Sequence, residues 1–159
     1  PAIVYDEIPR FAPECFAYLH ATNPSQFKQF REGLGQLLQE GVVQMFNMPG
    51  PVQRMPILAA VGPLQFEVVQ YRLQSEYGAE SRLEMAQWSL MRWVSPEVTA
   101  ETLDALIFPS GSNLVTDLHD QPAILFPSDW SAKYFASRHP QIPLSEVPFD
   151  EVAAAPQAG

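Results

Sequence analysis

The stretch Pro56–Glu80, PILAAVGPLQFEVVQYRLQSEYGAE, constrains the fold most, because its hydrophobic period changes within a few residues. Ile57 to Val61 is a continuous apolar run with the length of one buried strand. Gly62-Pro63 interrupts it. From Leu64 onward, Phe66, Val69, Leu73 and Tyr77 recur at spacings of three, four and four, which gives a helix one apolar face. Gly78 follows the last periodic residue, where a left-handed residue closes a helix. The stretch therefore predicts a strand, a tight turn and a helix that folds back over a sheet. Free N–H groups at Gly62-Pro63 suit an anion in principle. No Lys or Arg adjoins the turn, so a plain strand-to-helix turn is the favoured reading.

The flanking sequence repeats this grammar. Cys15 to His20 alternates, with Cys15, Ala17 and Leu19 on one side and Phe16, Tyr18 and His20 on the other, as in a half-buried strand. Asn23-Pro24 marks a helix start, with Asn23 as N-cap, Pro24 first in the helix and Gln26 placed for a capping box. Phe27, Phe30, Leu34, Leu37 and Leu38 form its apolar face, and Gly41 ends it. Gly33 and Gly35 lie inside this helix at a cost of about 1 kcal/mol each relative to Ala. Close packing on a sheet is the simpler reason for them, and backbone approach to a partner the alternative. Val42 to Phe46 is the next strand, and Glu80 to Met85 alternates again after the helix.

The resulting order, β-α-β-β-α-β, predicts an α+β fold. Its expected form is a ferredoxin-like two-layer sandwich over residues 14–86, with two helices on one face of an antiparallel four-stranded sheet. Residues 87–143 predict a further partial α/β unit packed on it. That unit holds a strand from Trp88 to Val94, a helix from Pro96 to Leu106, and a hairpin around His119-Asp120-Gln121-Pro122. A last helix runs from the cap Ser128 to Arg138, with Trp130 and Tyr134 one turn apart. Residues 1–13 are expected to be the end of a preceding domain and a linker, so the chain reads as a fragment. Residues 144–159 are Pro-rich and are expected to form a structureless tail.

Charge and chemistry narrow the function. The net charge of −9 divides unevenly: −2 in residues 1–23, zero in 24–94 and −7 in 95–159. Nucleic-acid contact is therefore confined to the central part. Cys15 is the single cysteine, which excludes an intrachain disulfide and suits a reducing, cytoplasmic setting. The two lysines, Lys28 and Lys133, do not follow a glycine, so no P-loop is present. His20, His119 and His139 are scattered, with no zinc spacing and no nucleophile elbow. No apolar run of about eighteen residues exists to span a bilayer. The candidate contact residues are Lys28, Arg31, Arg72, Arg82 and Arg92, the last lying between the stacking candidates Trp88 and Trp93.

Longer segments then carry a resemblance. FAPECFAYLH, QFKQFREGLGQLLQEGVVQMF, AAVGPLQFEVVQYRLQSEYGAES and RWV, with the later GSNLVTDLHDQPAILFPSDWSAKYFASRHPQI, resemble the C-terminal domain of the bacterial class II peptide-chain release factors (release factor three). The resemblance spans about residues 8–143. Elongation factor G shares the V-G-x-L-Q-F-E logic but not the C-terminal extension.

This resemblance implies a non-catalytic arm of a translational GTPase that removes class I release factors from the ribosome. Its GTPase and β-barrel domains, with GTP or GDP and Mg, would lie outside this chain, which itself would need no cofactor. The implied partners are the ribosome, through rRNA or ribosomal protein, and indirectly a class I factor. No membrane is implied, and the fragment is expected to be monomeric. A small-molecule-binding or acylphosphatase-like module is the rival. That chemistry needs an Arg after the first strand, and Ala21–Ser25 carries no basic residue.

Overall fold

The computed structural model describes residues 12–48 and 56–149. Strand β1, Cys15–Ala21, leads into a short 3-10 turn at Pro24–Gln26 and helix α1, Phe27–Gln39. Then come β2 (Gln44–Phe46), β3 (Ile57–Ala60), α2 (Leu64–Tyr77) and β4 (Ser81–Met85). The second half holds β5 (Leu90–Val94), α3 (Ala100–Ala105), β6 (Asn113–Thr116), β7 (Pro122–Phe126), α4 (Asp129–Arg138) and β8 (Leu144–Ser145). The result is a mixed α+β structure with two antiparallel four-stranded sheets, ordered β2-β3-β1-β4 and β6-β7-β5-β8.

Local chemistry sets the helix limits. Asn23 accepts a hydrogen bond from the Ser25 N–H through Oδ1 at 3.0 Å, and Pro24 needs no N–H partner there. Gln26 does not close a capping box: its Oε1 accepts from the Glu80 N–H at 2.9 Å and so ties α1 to β4. Gly78 ends α2 at φ +67, its N–H bonding to the Gln74 carbonyl while Ala79 N–H reaches Leu73. Ser128 caps α4 by accepting from the Ser131 N–H.

Four layers follow from the alternation of side chains. On one face of the first sheet, Ala17, Leu19, Leu58 and Ala60 pack against Phe30, Leu34 and Leu37 of α1 and Phe66, Val69 and Leu73 of α2. On its other face, Phe16, Phe46, Ile57 and Ala59 meet Met91, Trp93, Val115, Ala123 and Leu125 of the second sheet. The second sheet's outer face, with Val94, Ile124 and Phe126, carries Leu103 of α3 and Ala132 and Phe135 of α4. A two-bond backbone bridge between Asn47 and Thr116 stitches the sheets together beside this interface.

Three expectations change here. The half-buried β1 is a central strand buried on both faces, because a second sheet covers the side that carries Phe16. The partial second unit has a complete four-stranded sheet of its own. Residue 144 does not begin a structureless tail: β8 pairs with β5, and Phe149 packs against the intersheet core. Residues 150–159, and the prolines of residues 1–11, lie outside the described residues.

The two interior glycines of α1 separate cleanly. Gly33 is buried, and a Cβ there would stand 2.7 Å from both Leu73 Cδ2 and Tyr77 Cδ2. It lets α1 approach α2, so helix-on-helix contact, rather than contact with the sheet, uses its missing side chain. Gly35 has nothing within 4 Å of the same position.

Candidate partner-contact surface

The candidate cations occupy four regions and do not converge. Lys28 and Arg31 are exposed, three residues apart on one face of α1. Neither makes an ion pair among the described residues. The first turn of α1 holds no acidic residue, so Lys28 there adds to the positive end of the helix dipole instead of opposing it. Such a placement weakens the helix by a few tenths of a kcal/mol and concentrates positive potential at one spot.

Arg72 is differently engaged. Its guanidinium donates to Glu40 at 2.7 and 3.3 Å and to Glu76 at 2.8 and 3.0 Å. Glu40 closes α1 and Glu76 lies one turn along α2, so this fork clamps the two helices together. The bonds to Arg72 hold both carboxyl groups below the ordinary carboxylate range and push the guanidinium pKa upward. A carboxylate depressed in the folded state contributes stability that is present above its unfolded pKa and lost as pH falls through the folded value. Arg72→Met is therefore expected to lower the urea midpoint near neutral pH. The deficit should vanish well below the ordinary carboxylate range of about 4. A deficit constant down to that acid limit would mean the fork contributes packing alone.

Arg82 is exposed on β4, the edge strand of the first sheet, opposite His20. Register places it on the sheet face away from the helices, beside Glu84, whose Oε1 lies 2.9 Å from His20 Nε2. On that face Tyr18 has its pKa raised, by burial first and then by the Glu84 charge. Arg92 belongs to the second sheet, is half-buried and donates to the Met91 carbonyl at 2.8 Å. The flanking tryptophans, candidates to stack on a base or a protein aromatic, are taken up by the fold. Trp93 lies in the intersheet core, while Trp88 packs edge-on to Phe16 and donates its indole N–H to the Gly111 carbonyl at 2.9 Å. The structure thus brings Lys28 and Arg31 together and leaves Arg72, Arg82 and Arg92 apart.

The Gly62-Pro63 turn behaves as a strand-to-helix turn. Its Gly62 N–H already donates to Gln65 Oε1 at 2.8 Å. Among the described residues no cluster of three or more His, Cys, Asp or Glu side chains is arranged to hold a metal. No helix among them is long and apolar enough to cross a membrane.

Two exposed surfaces are not assigned by the sequence reading, which notes only that Trp130 and Tyr134 lie one turn apart. Leu64, Val68 and Tyr71 form an outward stripe on α2, offset from the buried Phe66, Val69 and Leu73. On α4, Trp130 and Tyr134 stack in solvent with centroids 5.1 Å apart. Their spacings, 64-68-71 and 130-134, were the available signal. Both spacings also suit a buried face, and only the packing decides which side is covered.

The described residues form two antiparallel sheets packed face to face, with α1 and α2 on one outer face and α3 and α4 on the other. A family model described as "Class II release factor RF3, C-terminal domain" matches residues 5–136, and the chain belongs to that family. Proteins named peptide chain release factor 3 are similar along most of the chain. That of Acaryochloris marina is 45% identical over 145 residues, 91% of this chain and 26% of the relative. That of Cyanothece sp. is 45% identical over 143 residues, covering 90% and 26%. That of Synechocystis sp. is 46% identical over 145 residues, covering 91% and 26%. The chain therefore spans about a quarter of the length of these relatives.

Proposed function

We propose that this chain is the ribosome-docking arm of a translation-termination GTPase that promotes release and recycling of class I release factors. Family membership supports the termination role. The GTPase chemistry, with GTP or GDP and Mg, belongs on this reading to a part of the longer protein beyond this chain. The arm itself binds and transmits position, acts in the cytoplasm and is monomeric. Residues 14–86 form its ferredoxin-like unit, a reading supported by the order β4-β1-β3-β2 and by two helices on one face. Residues 87–143, with β8 added, form the second unit.

The observation that carries the docking assignment is the exposed pair Lys28 and Arg31 in the first two turns of α1, which make no ion pair among the described residues. Exposed cations with no ion-pair partner among the described residues fit contact with rRNA phosphates. Arg82 is a second contact on the sheet edge. Arg72 and Arg92 drop out of the proposed interface because both donate within the chain.

The test is the double reversal Lys28→Glu with Arg31→Glu in the complete factor. Ribosome affinity is expected to fall about tenfold or more at low salt, and the slope of log K against log salt by about two. Both side chains are exposed, so the thermal midpoint should barely move. An unchanged affinity and slope in the folded variant would remove this end of α1 from the interface.

A further inference from the structure

Helix α4 presents two aromatic faces with different fates. Its inner face seats Phe135 against Phe126 and against Phe108, the latter stacked at 5.6 Å and 9°. Its outer face carries Trp130, Tyr134 and Arg138 at successive turns. The Trp130 and Tyr134 rings stack with 12° between planes, and the Arg138 guanidinium carbon stands 5.9 Å from the Tyr134 centroid. The column thus runs guanidinium, Tyr, Trp and then solvent. Trp130 remains 68% exposed and Tyr134 43%, so among the described residues the Trp130 face away from Tyr134 is open. A folded chain that orders three long side chains in water gives up rotamer freedom for little burial.

The surroundings say what fits that open face. Residues 95–149 hold seven acidic and two basic side chains. Glu97, Glu101 and Asp104 are exposed on α3 and the turn before it, on the same outer sheet face as α4. Asp129, next to Trp130, shares its charge with Lys133 at 2.9 Å. A nucleotide stacking on Trp130 would carry its phosphate into this negative field. A guanidinium would meet the electron-rich indole face under the net negative charge of residues 95–149, with Lys133 of α4 already neutralised by Asp129.

We infer that the outer face of α4 docks an arginine-bearing segment of a basic partner protein, whose guanidinium stacks on Trp130 and extends the Trp130–Tyr134–Arg138 column. This surface lies on the opposite side of the molecule's layers from Lys28 and Arg31, and the inference does not depend on their contact with rRNA.

The three indole N–H resonances of the 159-residue chain provide the test. Trp88 and Trp93 are held in the fold, so Trp130 reports the surface. Titration with a peptide of Arg-Gly-Gly repeats is expected to move the Trp130 resonance, with half-saturation about three- to fivefold lower than for the Lys-Gly-Gly counterpart. In Trp130→Ala, which lacks the reporter indole, titration calorimetry with the two peptides should show that preference erased, with the thermal midpoint within a degree or two. Equal affinity for the two peptides would reduce the surface to plain charge and overturn the inference. So would a single-stranded oligoadenylate that moves Trp130 at lower concentration than the arginine peptide. A Trp130 shift that depends only on protein concentration would assign the face to a second copy of the chain, and the inference would fall.

Discussion

Replacing Phe16 with Ala is expected to lower the unfolding free energy by about 3–5 kcal/mol. Phe16 is fully buried between the two sheets, where it meets Trp88 edge-on at a centroid distance of 6.3 Å. The surrounding cluster comes from strands of both sheets, which cannot collapse into the void without shifting one sheet on the other. The cost therefore combines lost transfer energy with a residual cavity. Urea denaturation measures the loss, and near-ultraviolet circular dichroism should change with it because Trp88 and Trp93 border the site. A loss below about 1.5 kcal/mol would mean that the sheets do not share a close-packed core.

Gly33→Val is expected to cost about 2–3 kcal/mol through overpacking, although valine by itself suits a helix no worse than glycine. The new Cβ would overlap Leu73 Cδ2 and the Tyr77 ring, both at 2.7 Å, and Leu73 is fully buried. Relief requires α1 and α2 to separate, which also strains the Arg72 bonds to Glu40 and Glu76. Gly35→Ala, two residues along, is expected to raise stability by about 0.5–1 kcal/mol, because nothing lies within 4 Å of its Cβ position. Thermal or urea unfolding of the pair separates the effects. Similar changes of one sign at both positions would contradict the close helix contact at Gly33.

Much of the element map was legible because it rests on local chemistry. Asn23-Pro24, Gly78 and Ser128 mark helix limits through hydrogen bonds formed within a few residues. The period switch at Gly62-Pro63 separated β3 from α2 for the same reason. The spacing of Lys28 and Arg31 likewise placed them on one helix face. Arg72 could not be read this way, because Glu40 is 32 residues distant along the chain and adjacent only in space. Gln26 had the spacing for a capping box, yet a tertiary partner, the Glu80 N–H, took its carbonyl.

The stretch around Gly62-Pro63 shows where the division falls. Sequence by itself determined that a strand ends there, that a helix begins, and which residues share each side of the following elements. Those properties follow from backbone sterics and from side-chain period, which are fixed by nearest neighbours. Only the tertiary structure decided what covers each side. Phe16 and Ile57 became core because a second sheet packs on them, while Leu64, Val68 and Trp130 stayed in water because nothing in the described chain does. Periodicity gives an apolar face its direction, and burial depends on which distant segment arrives to meet it.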